Sequence, residues 1–396
     1  MHIEEIKLKN FKAFKDVRIK KIPKMAVFVG ANGTGKSTLF SVFSFLKSAY
    51  SDNVTMALKR LGGNRGFQEV KSRDSKGPIE IEIKFREKEN SPLITYTLLI
   101  DEENGDAIIL QETLKYRRGS KGKPWNFIDF RKGEGEAVIN EPDQVKNESE
   151  LKRDKQKLKS PDILAIKGLS QFEKFPASKA FGDLLENWNI SDFQVNLARQ
   201  EVELNYAQRL SSQGDNLANV SEFLFKKHKE VFNAVLSKLS QRVNGISNVE
   251  SKITEDGRVL LRFTDGEFKD PFLAKHVSDG TLRMFAYLIL LHDPNPSPLL
   301  CVEEPENQLY HSLLDGLIEE FRDYALRGGQ VFISTHSPDL LNSCNIDEVF
   351  FLQKKKGFTT VIPVKNSKQI KDYVEQGDKL GWLWREGFLN ELSENN

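Results

Sequence analysis

Between Met25 and Val29 every position is apolar (MAVFV), a glycine-rich turn follows, and residues 38–50 then carry apolar side chains at helical spacing. A short unbroken apolar run between turn signals reads as a buried parallel strand. Upstream, Ile3, Ile6, Leu8 and Phe11 punctuate charged residues, the alternation of a strand pair with one wet face. Alternation returns over about 79–109. From about 119 to 160 the chain turns polar and loses its period, and KNESELKRDKQKLKS is mostly charge. That stretch reads as a solvated helix or mobile loop, with a nucleic-acid arm as the sharper alternative. Phe232, Val235, Leu236 and Leu239 fall at i, i+3, i+4 and i+7, an apolar helix face. Residues 259–263 read as a strand. Beyond Thr281 helix and strand alternate, with strands at 299–302, 330–334 and 348–352, which predicts a parallel sheet covered by helices.

Composition changes this picture little. Lys and Arg number 58 against 57 Asp and Glu, so bulk charge argues for neither nucleic acid nor membrane and leaves only a local patch open. The length of 396 residues suits two or three domains. The two cysteines, Cys301 and Cys344, have no metal-ligand spacing and no disulfide framework, which fits a reducing cytoplasm. The start, MHIEEIKLKNFKAF, lacks an apolar run of signal-peptide length, and the longest apolar segment, 284–291, is far short of a membrane span. Cytoplasmic localisation is expected.

The chemistry sits at strand ends. Gly30-Ala-Asn-Gly-Thr-Gly-Lys-Ser37 fits G-x-x-x-x-G-K-[ST], after a strand and before a helix. Gly30, Gly33 and Gly35 let backbone N–H groups close on phosphate oxygens, with Asn32 and Thr34 between them. Lys36 would reach the β- and γ-phosphates of ATP, the Ser37 hydroxyl would ligate Mg²⁺, and Thr38 continues the helix start. The apolar run of LLCVEEP ends in two carboxylates; Glu303 is assigned to the metal and Glu304 to the attacking water. VFISTH delivers His336 at a third strand end, where a γ-phosphate contact is expected. Ligands in open α/β sheets sit outside such ends, so Lys36, Glu304 and His336 are expected to face one crevice. VSDGTLR, before an apolar helix, offers Ser278, Asp279 and Gly280 as an anion site, though Ser-Asp-Gly is also an ordinary turn.

The order GANGTGKS, long insertion, SDGTLR, LLCVEEPENQLY, STHS resembles the ATP-binding-cassette class of P-loop ATPases. More narrowly it is similar to predicted ATPases related to the recombination, chromosome-maintenance and overcoming-lysogenisation-defect proteins. The matching motifs cover about 1–50 and 250–350. The resemblance implies an α/β P-loop head with a mixed sheet flanked by helices: residues 1–100 as its first lobe, 101–245 as an inserted, mainly helical subdomain, and 246–396 as its second lobe. It further implies a head-to-tail homodimer with composite ATP sites. Ser278, Asp279 and Gly280 would then act in trans, with Glu306 and Asn307 in the loop crossing the interface and His336 as the switch histidine. Lys12 lies where such ATPases place a basic residue near the phosphates. Gln68 is the best candidate for a metal-side glutamine, and a surface glutamine is the equal alternative. Two departures stand out: Glu303 replaces the usual Asp, and the signature is SDG rather than SGG.

The reading that follows is an ATP-binding and ATP-hydrolysing switch with Mg²⁺ as cofactor, acting on a separately encoded effector in phage defence and needing no membrane. Two rivals remain: a maintenance or repair ATPase that binds DNA directly, and an ATPase fused to a nuclease. About 60 residues follow STHS, too few for an acidic nuclease domain, and Glu102, Glu103 and Glu386 form no second carboxylate cluster. The segment GWLWREGFL, with Trp382 and Trp384, reads as a docking or packing tail. A transporter ATPase is disfavoured by the long insertion and the signature.

Overall fold

In the computed structural model, which describes residues 1–117, 123–140, 147–268 and 270–392, the alternating N-terminal segment forms an antiparallel pair, β1 (His2–Phe11) and β2 (Phe14–Lys20). Ile3, Ile6, Leu8 and Phe11 are all buried, as their spacing predicts. The apolar run is β3 (Met25–Val29), and the phosphate loop opens α1 (Lys36–Ser51). The side chain of Asn53 then caps α2 (Val54–Gly62), and a short α3 (Phe67–Val70) follows. Strands β4 (Ile79–Arg86), β5 (Leu93–Glu103) and β6 (Asp106–Arg117) take up the second alternating stretch.

The segment expected to be solvated or mobile behaves differently. Residues 119–122 and 141–146 lie outside the described ones. The rest contributes β7 (Trp125–Arg131), β8 (Glu134–Val138) and β9 (Arg153–Lys157). Three physical signals were hidden by the charge. Phe127, Val138 and Leu151 form a small apolar cluster backed by Tyr116 and Trp125. Lys132 and Gly133 both adopt positive φ, the geometry of a tight hairpin. On the wet face the charges pair across strands, Lys157 with Glu134 at 2.5 Å and Arg153 with Glu136 at 3.2 Å. The helices expected of the insertion appear only in its second half, beginning with α4 (Ala165–Ser170) and α5 (Pro176–Glu186).

The chain next forms β10 (Asn189–Ser191), α6 (Val195–Ala198), β11 (Val202–Glu203), α7 (Leu217–Lys227) and α8 (Lys229–Arg242), the last burying Phe232, Val235 and Leu239. A meander of β12 (Ile246–Ile253), β13 (Arg258–Asp265) and β14 (Phe272–Leu273) leads into the apolar helix α9 (Asp279–Leu291). Then come β15 (Leu299–Glu303), α10 (Leu314–Leu326), β16 (Gln330–Thr335) and α11 (Pro338–Asn342). The chain ends in β17 (Val349–Lys355), β18 (Phe358–Pro363), α12 (Lys368–Glu375) and α13 (Leu380–Arg385).

These elements gather into two units, Met1–Trp188 with Ile346–Tyr373 and Gly387–Asn396, and Asn189–Asn345 with Val374–Glu386. In the first, eight described strands form an antiparallel sheet in the order β2-β1-β4-β5-β6-β7-β8-β9, and β3 pairs in parallel with β17, which pairs antiparallel with β18. Phe28 of β3 stacks on Phe350 of β17 at 5.4 Å and meets Phe40 of α1 edge-on at 6.2 Å, so aromatic packing fixes the strand that launches the phosphate loop. In the second unit β10, β15 and β16 run parallel, with Glu303 opposite Ser334. The tail helix α13 seats Gly381 against α11. A Cβ there would lie 1.9 Å from the Pro338 carbonyl oxygen, while Trp382 stays exposed. No described helix is long and apolar enough to cross a membrane.

Candidate functional site

The predicted site residues divide between the two units. In the first, Gly30 admits no side chain, because a Cβ would approach the Leu352 carbonyl oxygen to 2.4 Å. Gly33 and Gly35 take positive φ, and a Cβ on Gly35 would meet the Thr359 hydroxyl at 2.7 Å. Lys36 is buried, and its ammonium donates to the loop's own carbonyls, Gly30 at 2.8 Å and Ala31 at 3.3 Å. Thr34 donates to Ala31 at 2.8 Å. Asn32, Gly33 and Ser37 are exposed, and Thr38 is partly so. The N-terminus of α1, with Lys36 curled over a bare backbone loop, is a cradle shaped for a phosphate chain.

Lys12 has positive φ in the β1–β2 turn. Its N–H donates to Val70 at 2.6 Å and its carbonyl accepts from Ser72 at 2.7 Å; burial draws its ammonium below the ordinary lysine pKa. Gln68 is exposed on α3 and lines a shallow pocket with Thr55, Lys59, Arg65 and Glu102, none of which belongs to the phosphate loop.

In the second unit Glu303 ends β15 and Glu304 turns into positive φ, its N–H tied to the Ser334 carbonyl at 2.9 Å. That left-handed turn, costing on the order of 1 kcal/mol, swings the carboxylate off the strand. One Glu304 oxygen lies 2.9 Å from Nδ1 of His336, and the other accepts from Asn307 at 3.1 Å. Glu306 is buried; it accepts from the Thr335 hydroxyl at 2.5 Å and from the His336 N–H at 3.3 Å. Its other oxygen has no hydrogen-bond partner among the described residues, and burial pushes its carboxyl above the usual range.

Ser278 caps α9 by accepting from the Thr281 N–H at 3.2 Å, and Asp279 is paired with Arg199. Gly280 again admits no side chain, since a Cβ would meet the Gln308 carbonyl oxygen at 2.8 Å. The buried Arg283 donates to Gln308 at 3.3 Å and to the Phe193 carbonyl at 3.2 Å. The signature turn and the loop after the two carboxylates are therefore one packed piece.

Residues 25–342 match the family described as "AAA domain, putative AbiEii toxin, Type IV TA system". The chain belongs to that family. Membership makes it a P-loop ATPase, in line with the fused strand, loop and helix around Lys36. A curated relative, an ATP/GTP phosphatase of Helicobacter pylori, is 20% identical over 397 residues, covering 94% of each chain. Two solved structures share the architecture. An Smc head bound to the C-winged helix domain of ScpA gives a TM-score of 0.56 at 16% identity, covering 94% of this chain and 100% of that one. An Smc head with an extended coiled coil, bound to the C-terminal domain of ScpA from Pyrococcus furiosus, gives 0.50 at 14%, covering 94% and 99%. The fold of this ATPase is that of the Smc-like, ABC-class heads.

Two residues of the ATPase escaped the sequence reading. Thr359 is buried on β18; its hydroxyl donates to the Thr34 carbonyl at 2.7 Å and its N–H to Ala13 at 2.9 Å, bracing the phosphate loop and the Lys12 turn together. Arg199 donates to the carbonyls of Ala274, Lys275 and Val277 as well as to Asp279, holding the signature turn. Neither lies in a motif, and the Thr359 bond spans 325 positions.

Proposed function

We propose that the chain is an ATP-driven switch whose phosphate loop holds the nucleotide and whose Glu304–His336 pair acts on the γ-phosphate. Two copies pack head to tail, each signature turn completing the other's site. Lys36 leaves the loop carbonyls to bind phosphate oxygens, and the exposed Ser37 hydroxyl, Lys12 and the loop N–H groups complete the cradle. Glu304, both oxygens already held, orients the attacking water and accepts its proton; His336 fixes the carboxylate and contacts the γ-phosphate. The glycine cradle and the acidic strand end fit MgATP, in which Mg²⁺, held by Ser37 and Glu303, would neutralise charge on the β- and γ-oxygens.

The observation that carries the switch is the contact of Gly280 with Gln308. Because the signature turn packs directly on the loop after Glu304, events at one copy's carboxylates would reach the surface offered to its partner. The Smc heads bound to ScpA domains support a separately encoded protein that reads the state of the heads. The toxin–antitoxin wording of the family supports a defensive output.

Mixing provides the test. A Lys36→Ala chain and a Ser278→Arg chain, each inactive, should regain activity when mixed under exchange conditions, because each mixed dimer keeps one intact composite site. Turnover per protomer should also rise with protein concentration until the dimer saturates. Mixtures that recover nothing while size measurements show mixed dimers would overturn the trans arrangement.

A further inference from the structure

The charge of the chain is nearly balanced, yet two segments break the balance. Residues 14–21 (FKDVRIKK) carry Lys15, Arg18, Lys20 and Lys21 against Asp16 alone. Residues 354–368 (KKKGFTTVIPVKNSK) carry Lys354, Lys355, Lys356, Lys365 and Lys368 and no carboxylate. Nine cations and one anion thus fall in segments of a protein whose total is +1. The fold of the first unit lays these segments side by side. β2 is the outer strand of its sheet, and β18 is the outer strand beside β17. They are tied at their starts by the Thr359 N–H on the Ala13 carbonyl and by Lys15 over the Phe358 ring at 4.9 Å. Farther along a groove of about 500 Å³ opens between them, its charged lining being Arg18, Lys20, Lys21 and Lys365 with Asp16 as the one carboxylate.

We infer that this groove binds the phosphodiester backbone of nucleic acid. Three properties select that ligand. Lys15, Arg18 and Lys20 follow one another along an extended strand, with Lys21 just beyond it, a spacing that suits a linear polyanion better than a single phosphate. Seven residues of β2 span about 23 Å, the rise of about seven nucleotides in one strand. Arg18 is spent on Glu5 at 3.2 Å and Glu82 at 3.4 Å, whereas Lys20, Lys21 and Lys365 make no ion pair among the described residues. Lysines are point charges that meet phosphates without demanding one geometry, as sequence-independent backbone binding requires. Edge lysines also guard strands against pairing. That role explains neither Lys365, which lies beyond β18 in a short 3-10 turn, nor the scarcity of carboxylates.

The inference stands apart from the dimer, because groove and tracking cations belong to one copy. The experiment is fluorescence anisotropy on the full chain with a labelled 20-base-pair DNA duplex, the single strand and an RNA of the same sequence, over a salt series. Three phosphate contacts predict a duplex slope near −3 in log K against log salt, about 40-fold between 50 and 200 mM, and a shallower slope for single strands. Relative affinities of the three probes identify which polymer is preferred. The triple variant K20E/K21E/K365E should lose at least 10-fold in affinity and most of the slope, with melting temperature and basal ATP turnover unchanged. Reversal of Lys226 and Lys227, on α7 in the other unit, should change nothing. Binding that is absent at low salt, or insensitive to the triple variant, would overturn the inference. So would polyglutamate that outcompetes all three nucleic acids, since the groove would then take an acidic polypeptide.

Discussion

The phosphate loop and the carboxylate–histidine cluster solve opposite problems. The Lys36 ammonium bonds to the loop's own carbonyls, Gly30 and Ala31, so binding a phosphate exchanges one set of acceptors for another. Glu304 is the reverse: His336 and Asn307 hold both its oxygens, and the strained turn at Glu304 is fixed by the Ser334 carbonyl. One region is arranged to exchange partners and the other to stay still. Under the proposed function, binding energy would go into the loop, while preorganisation at the cluster would act on the chemical step. Substitutions in the two regions should separate affinity from turnover.

The largest effect is expected at Glu304. Glu304→Gln should lower kcat by on the order of 10²-fold or more, with ATP affinity within about twofold of the parent. Turnover close to normal, measured by phosphate release, would sink the contrast. Lys36→Ala comes next and falls on the other side: losing charge-assisted bonds to phosphate, on the order of 2 kcal/mol, should weaken ATP binding about 30-fold in a calorimetric titration. Asn307→Ala removes a donor to Glu304 and should cost about 5- to 10-fold in kcat with affinity unchanged. Thr359→Val deletes the hydroxyl that braces the loop and should weaken ATP binding about fivefold, and Thr359→Ser should restore it. If the Thr359 variant lowered kcat alone, the division between the regions would blur.

The smallest effect on turnover is expected at Glu112, which serves as a control on stability. This buried carboxylate on β6 accepts from the first N–H groups of α4, Ala165 and Ile166, and from the Tyr96 hydroxyl at 3.2 Å. Burial pushes its pKa up to about 7. The folded state therefore binds more protons than the unfolded one between about pH 4.5 and 7. Stability falls as pH rises through that window, by on the order of 3 kcal/mol, and levels off above it. Urea midpoints at pH 5 and 7.5 should show this decline in the parent and a smaller one in Glu112→Gln, where the other buried acids, Glu306 among them, still contribute.

Much of the phosphate loop was legible because its constraints are local: glycines at fixed offsets, a buried strand before them, a helix after. The carboxylates and His336 were legible as polar residues at the ends of apolar strands. The hydrogen bond of His336 to Glu304, the burial of Glu306 and the grip of Arg199 on the signature turn were not, because each depends on segments distant in sequence. The strands β7 to β9 were misread for a different physical cause. Apolar residues are sparse in β8 and absent from β9, which is held as the outer strand by its pairing with β8, and such a count of charge looks like a loop. Gln68 lines a pocket with Lys59, Arg65 and Glu102, all from outside the phosphate loop, and its metal-side role is a proposal.

The Thr359 brace has a consequence for the birth of the molecule. Thr34 and Thr359 are 325 positions apart, and a parallel partner of β3 is β17, which begins at Val349. A ribosome adding about 5–20 residues per second leaves the phosphate loop without the Thr359 brace for roughly 15–65 s. Nascent chains and prematurely terminated products would carry the ATP motif without its scaffold. Full nucleotide affinity is therefore expected only once β18 has been made, and fragments that stop short of it should bind ATP more weakly.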